Sequence, residues 1–367
     1  MLLSGNVLST PIKPLKTLVT SSPLRLPSPP CKKLAKLSAA SSSSSSASTT
    51  VLQPLQPLIP IWTEFSARVS GEWDGFGADF TSAGCPIELP ENVVPEAYRE
   101  WGVEVFDWQT QCPTLASESG DRSFFYKLIR LLPTVGCEAD AATRHSVEER
   151  VVGNLENGAL AFGYDSSGCY VAVWPRAAGV LELEHCLVAP GNREERVRVV
   201  QLVKVEAKEM RLAGIKVFSE QWYGPFRNGE QLGGCAIRES GFAATKKVEV
   251  SEVVGEWQST STAALRFQAG EKDVFRELIE DRPQKSIRDE VDLVALPKQL
   301  WCLLKEKNVG EVSAEVGWLF DHDHALTSRC VFLQDGRLKA RDSIITGSCG
   351  AIKDMIIICV SLHCHFS

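Results

Sequence analysis

The chain has 367 residues, 44% of them hydrophobic and 23% charged, with a formal net charge of −7, so it can bury sizeable cores and has the length of two domains. No stretch reaches the roughly 20 consecutive apolar residues of a membrane-spanning helix. The acidic balance disfavours a nucleic-acid partner, which calls for clustered lysine and arginine.

Charge is unevenly placed along the chain. No acidic residue precedes Glu64, whereas Lys13, Lys16, Arg25, Lys32, Lys33 and Lys36 all do, among many serines and threonines that end in the run 41–46. A basic, serine-rich, acid-free N-terminus reads as a chloroplast transit peptide, cut between Lys36 and Thr50, which places the protein in the stroma. A disordered tail would have the same composition. Taking those six basic residues from 39 leaves 33 against 46 acidic ones, a net charge of −13. Pro54, Pro57 and Pro60 mark the end of this segment, and residues 1–58 are assigned to it and its linker. The twelve cysteines are scattered singly without a Cys-x-x-Cys pair, so they read as small buried hydrophobes kept reduced, with no support for a redox pair such as Cys112 and Cys137.

The folded part starts near Ile61. An apolar run, 61–65, leads through Val69-Ser70-Gly71-Glu72-Trp73-Asp74-Gly75 into a strand at 76–80. One helical turn is expected over 95–100, followed by strands at 102–111 and 124–132. A hairpin joins 159–164 to 169–174 through Asp165-Ser166-Ser167-Gly168. Residues 180–188 alternate Leu181, Leu183, His185 and Leu187 against Glu182, Glu184 and Cys186, which predicts one buried and one wet face. Between Arg196 and Arg211 a helix competes with a strand. Val197, Val199, Val203 and Val205 on one side favour the strand, because β-branched side chains lose rotamer freedom in helices. A further strand is expected at 210–222, ending at the loop Tyr223-Gly224-Pro225.

The Gly-Glu-Trp triplet returns at Val253-Val254-Gly255-Glu256-Trp257. Beyond it, Val274, Phe275, Leu278 and Ile279 have helical spacing, so 272–281 is expected to be an amphipathic helix. Strands follow at 291–296, 300–305, 311–320 and 325–333, then at 337–340 after an Asp335-Gly336 turn. The end is different: 355–360 is continuously apolar, and 348–367 reads as an atypical tail that leaves the second barrel short of a closing strand and prone to aggregation.

Glycine lets a backbone pass close beneath an indole, and tryptophan can plug the end of a β-barrel. Gly71-x-Trp73 and Gly255-x-Trp257 resemble the Gly-x-Trp signature on the first strand of lipocalin-like (calycin) barrels. More specifically, Gly71-Glu72-Trp73-Asp74-Gly75, the run from Glu100-Trp101-Gly102 to Thr110-Gln111-Cys112, Leu296-Pro297 and Glu315-Val316-Gly317-Trp318-Leu319 resemble the plant and cyanobacterial family of chloroplast ATP-synthase biogenesis factors. The likeness runs from about Phe65 to Gly347. It implies a mainly β fold of two tandem lipocalin-like antiparallel barrels with a few short helices, at 59–250 and 251–347, the second incomplete. It also implies a stromal assembly factor for the catalytic head of the ATP synthase, whose partners are unassembled head subunits.

A nucleophile elbow, a phosphate loop and a zincin helix are all missing, and Gly75-Phe76-Gly77 lacks the third glycine of a dinucleotide site, so no catalytic residue, cofactor or metal is assigned. Asp321-His322-Asp323-His324 has metal-ligand types but falls where a tight turn is expected, and neighbours in a turn splay apart. Cys359, His363, Cys364 and His365 have them too, in the atypical tail. His145 lies in a polar stretch, while His185 reads as a satisfied core histidine. Trp222, Tyr223 and Phe226 surround a Gly-Pro bend and are the candidate partner-binding residues, with a lid over the barrel mouth as the other reading. The alternative function is a calycin-type carrier of a tetrapyrrole or lipid.

Overall fold

The computed structural model describes residues 58–117, 122–135, 142–152, 158–176, 179–192, 194–206, 209–230, 241–263, 265–266, 276–278, 285–308, 310–322, 324–333 and 353–360. The expectations for 1–57, Cys137, the 335–336 turn with 337–340, and His363, Cys364 and His365 lie outside the described residues. Residues Leu55–Ser367 form one compact unit.

The chain enters through α1 (Leu58–Val69). Trp62, Phe65, Ser66 and Val69 recur at helical spacing and are buried, while Thr63, Glu64 and Ala67 face water. The apolar run 61–65 is therefore helical. The helix stops at Gly71, whose φ of 145° is outside the range of ordinary side chains.

The first sheet follows: β1 (Glu72–Thr81), β2 (Asp107–Gln111), β3 (Thr114–Ser117), β4 (Ser123–Leu131), β5 (Arg144–Val152), β6 (Ala161–Tyr164), β7 (Tyr170–Arg176), β8 (Val180–Val188), β9 (Glu195–Glu206) and β10 (Glu209–Gly224), with α2 (Glu96–Glu100) between β1 and β2. The ladder runs β3-β4-β2-β1-β10-β9-β8-β7-β6, with β5 on β4. β2 and β3 lie on one edge of β4, broken at Pro113, which has no N–H to give a ladder. Neighbours in the sheet are neighbours in sequence, apart from β2 with β4, on either side of β3, and β1 with β10. The latter pair joins the first strand to the last, so the sheet curls like a barrel. No ladder joins β5 to β6 among the described residues. Across that gap Phe124 of β4 stacks on Phe162 of β6 at 5.1 Å, and Phe65 of α1 packs on Phe124, Phe162 and Tyr164. The helix closes this end of the curl with aromatic surface.

The second sheet is built from β11 (Gly255–Ala263), β14 (Lys285–Arg288), β15 (Leu293–Leu296), β16 (Leu300–Asn308), β17 (Glu311–Asp321), β18 (His324–Leu333) and β19 (Lys353–Val360), after the short α3 (Val250–Val253). Its order is β14-β11-β19-β18-β17-β16-β15. The two edge strands, β14 and β15, are joined only through a 3₁₀ turn at Glu290–Asp292, so this sheet also curls until its edges approach. β12 (Leu265–Arg266) and β13 (Arg276–Leu278) form a separate pair. The protein is thus mainly β, with few helices and barrel-like curled sheets.

Several expectations change. Strand β2 begins only at Asp107, and 291–292 belong to the 3₁₀ turn. β5 lies in the polar stretch around His145, where alternation is weak. The helix expected at 272–281 is contradicted where the chain is described, because residues Arg276–Leu278 pair as a strand with β12. The tail is not left outside the sheet: Lys353–Val360 lies parallel to both β11 and β18, filling the place expected to be short of a strand. A continuously apolar, β-branched run suits a strand paired on both edges, as in buried parallel sheets. The competition over 196–211 resolves as strand.

The wet faces are also corrected. β8 is buried on both sides, Glu182, Glu184 and His185 included, and β17 nearly so. Leu181, Leu183, Leu187, Val197, Val199 and Val203 share one apolar core with Leu300, Cys302, Val316, Leu326, Cys330 and Phe332 of the second sheet. The apolar stripes of β8 and β9 therefore pack against the second sheet, and their charged stripes turn into the curl of the first.

Candidate functional site

The charged stripes meet around Trp73, which is fully buried and donates its indole N–H to the Val69 carbonyl at 2.9 Å. The guanidinium of Arg196 lies 4.2 Å from the Trp73 ring centre. Glu220 of β10 accepts from Arg196 Nε at 2.7 Å and from Arg198 Nη2 at 2.7 Å and Nε at 3.0 Å. Burial would raise the Glu220 pKa, and the two guanidiniums outweigh it and lower it. Arg198 also reaches Glu184 at 3.0 Å, and the same carboxylate accepts from Tyr126 at 2.6 Å, Tyr170 at 2.8 Å and Trp174 Nε1 at 2.9 Å. Burial pushes the Tyr126 and Tyr170 hydroxyls well up, so both stay donors.

A second network ties β5 to β7, β8 and β10. Glu182 is held by Arg150, by Arg176 at 3.0 Å and by Lys216 at 3.1 Å, and Arg176 also reaches Glu148 at 2.7 Å. Burial alone would raise Glu182, and the cations bring it down to about 2. A cleft of about 300 Å³, including space open to solvent, remains between Tyr126, Arg130, Glu148, Glu182 and Lys216.

The second Gly-Glu-Trp builds the same unit. Trp257 is fully buried, donates to the Val253 carbonyl at 2.7 Å and follows Gly255 with φ 119°. The Arg288 guanidinium sits 4.9 Å from its ring and pairs with Glu315 at 2.6 Å. Glu315 also accepts from Arg329 at 2.7 Å. Burial would raise its pKa, and the two arginines bring it to about 2. Each half thus repeats helix end, glycine, tryptophan, arginine over the ring and glutamate behind it. The indole that lies over a glycine is a different one in both halves. A Cβ on Gly71 would fall 2.1 Å from Trp222 Nε1, and one on Gly317 would fall 2.0 Å from Trp301 Cζ2.

Trp222, Tyr223 and Phe226 do not converge on the lumen. Trp222 is 37% exposed with its indole N–H 3.3 Å from the Ser70 carbonyl, Tyr223 is 50% exposed, and Phe226 leans on Phe125 at 6.5 Å. The bend after them is held by Glu72, which accepts from the backbone N–H groups of Arg227 and Gly229. In the turn from β17 to β18, His324 pairs with Asp321 at 2.7 Å and His322 with Glu252 at 2.8 Å, so the two imidazoles point to different partners. His145 stacks on Trp108 at 4.7 Å.

Burial holds the thiols of Cys112, Cys186 and Cys302 in their protonated form near neutral pH. Burial pushes Cys112 up to about 11 and Cys186 and Cys302 up to about 12. Sequence reasoning singled out the tryptophans but not Arg196, Arg198, Glu184, Glu220, Arg288 or Glu315. The available signal was charge at period two inside strands, and it reads equally well as a wet face.

His185 lies between the two sheets, its Nδ1 2.7 Å from Ser328 Oγ, and the neighbouring Gln201 donates to the Leu303 carbonyl at 3.1 Å. Burial lowers its pKa from 6.5 to about 3, so it is neutral when folded. As pH falls below about 6.5 the unfolded chain takes a proton that the folded one refuses. This contribution should therefore fall by about 1.4 kcal/mol per pH unit until about pH 3. Asp74, raised by burial to about 6, has the opposite slope below that pH. Comparing His185→Gln with wild type in urea unfolding between about pH 7 and pH 5 isolates the histidine. The wild type should lose about 2 kcal/mol more than the variant over that interval, and parallel profiles would refute the assignment.

No protein family model matches the sequence, and no curated protein matches it. Among solved structures it is similar to a protein of unknown function from the DUF3598 family of Nostoc punctiforme, at 13% identity and a TM-score of 0.41. That similarity covers 77% of this chain and 95% of the other. Among the described residues no helix is long and apolar enough to cross a membrane.

Proposed function

We propose that this chain is a non-catalytic binding protein of two tandem lipocalin-like barrels, a stromal assembly factor that holds unassembled subunits of the chloroplast ATP synthase head until they join. The reading rests on the residues that resemble that family, and the repeated tryptophan–arginine–glutamate unit supports it most. Two copies of one barrel-end arrangement are what a tandem pair requires, and the first-to-last pairing of β1 with β10 is the closure such a barrel uses. A rigid pair can cover an unpaired subunit interface and release it when the true partner offers a larger one.

The interior argues against a carrier of tetrapyrrole or lipid. Glu184 is enclosed by Tyr126, Tyr170, Trp174 and Arg198, and the remaining cleft sets Arg130, Glu148, Arg150, Glu182 and Lys216 around Leu128, Val200 and Phe218. An apolar ligand would have to displace these ion pairs and leave charges unpaired.

A pull-down from stroma with the full chain tests the proposal. Head subunits of the ATP synthase should be captured. Replacing Trp222, Tyr223 and Phe226 together by serine should lower the yield roughly tenfold or more while the unfolding midpoint stays near wild type. Capture without any head subunit would sink the function, and an undiminished yield from the triple variant would remove these residues from the binding surface.

A further inference from the structure

The segment between β1 and β2, residues 86–105, packs on a small cluster separate from the main core, yet it presents the most exposed indole of the described residues. Trp101 is 63% exposed, and Ile87 and Val103 are each 46% exposed. These side chains stand on an ordered base. Leu89, Val93 and Trp108 form a small buried cluster beneath them, with Val94 and Val105 packed against it. Backbone bonds fix the loop, with Ile87 N–H donating to Asp79 O at 2.9 Å, Leu89 N–H to Val105 O at 2.8 Å and Val103 N–H to Tyr98 O at 2.9 Å. The Tyr98 ring meets Trp101 at 6.1 Å and 73°, and its hydroxyl donates to Thr134 O at 2.8 Å. A large apolar ring held out on a fixed loop is unfavourable in water and is typical of an interface anchor.

The charge around it is one-sided. Glu88, Glu91, Glu96, Glu100 and Glu104 are exposed and make no ion pair among the described residues, and Arg99 is the single basic residue between Thr81 and Arg122. We propose that this face docks a basic polypeptide segment of a partner protein. The segment's apolar side chains cover Trp101, Ile87 and Val103, and its lysines or arginines meet the glutamate rim. Complementary rim charge orients the encounter, and the indole supplies the affinity. A second copy of the chain is a poor occupant, because it would bring the same carboxylates to the contact. The surface is distinct from that of Trp222 and Tyr223. Trp222 pairs across from Trp73 at the start of β1, whereas Ile87 is bonded to Asp79 near its end. The proposal does not depend on which protein is bound.

The probe is a fluorescein-labelled amphipathic lysine–leucine peptide titrated with the full chain and followed by anisotropy, with a glutamate–leucine peptide as control. Saturable binding of the basic peptide alone is expected. Trp101→Ser, and separately Glu96→Gln with Glu100→Gln and Glu104→Gln, should each weaken it roughly tenfold or more at an unchanged unfolding midpoint, and Trp222→Ser should leave it as in wild type. Equal affinity in the Trp101→Ser and wild-type proteins would overturn the proposal, as would equal weakening by Trp222→Ser. Self-association on sedimentation that disappears with Trp101→Ser would also overturn it, assigning the face to a second copy. Because the probe contains no subunit of the synthase, failure here leaves the stromal pull-down to be judged separately.

Discussion

Replacing Trp73 by alanine should destabilise the protein by about 3–5 kcal/mol, and Trp257→Ala should cost a similar amount. Both indoles are fully buried, both are hydrogen-bonded to the helix end four residues earlier, and both carry a guanidinium on one face. Emptying either site removes the ring's contacts, and it strips Arg196 of the indole beneath it in one case and leaves Arg288 with Trp301 alone in the other. Urea unfolding followed by circular dichroism provides the measure. A variant within about 0.5 kcal/mol of wild type would show that its tryptophan is not a core plug. Trp222→Ala, which removes an indole already 37% exposed, should cost much less and serves as the internal comparison.

Glu220→Gln should be of the same order, about 3–5 kcal/mol, for an electrostatic reason. Glu220 is the carboxylate shared by Arg196 and Arg198, and all three side chains are buried. The amide keeps the shape but loses the charge, so two guanidiniums are left with only Glu184 to balance them. The lowered pKa of Glu220 gives the same conclusion from the titration side. Its ionised form is favoured when folded, so its contribution is present above the ordinary glutamate pKa of 4.5 and is lost as pH falls below it. If the loss comes from uncompensated charge, adding Arg196→Met to Glu220→Gln should recover part of the stability despite removing more hydrogen bonds, because Arg198 stays paired with Glu184. A further loss in the combined variant would mean that packing, not charge, dominates the site.

Much of the architecture was legible before folding because it is local. Residues 180–188 alternate cleanly and form β8 over the same span, and Asp165-Ser166-Ser167-Gly168 turns β6 into β7 as its residue types require. The repeated Gly-Glu-Trp marked two equivalent places, and each has its indole buried and bonded in the same way. Strand existence, turn position and the identity of the buried tryptophans depend on side-chain size and on backbone preferences within a few residues, so the sequence carries them openly.

Other properties depend on what each face meets. Alternation states that the two sides of β8 and β9 differ, but not which side is wet. The second sheet covers the apolar side, and the curl of the first encloses the charged side, so Glu184, Arg196, Arg198 and Glu220 become buried partners instead of surface charges. The same limit applies at 355–360. A continuous apolar run is compatible with a loose tail or with a strand paired on both edges, and the free edges of β11 and β18 decide for the strand. Period and turn chemistry were determined by the sequence itself. Burial, and with it the pKa values of His185, Glu182 and Glu315, came only from the tertiary structure, because the cost of burying a charge depends on partners that lie far away along the chain.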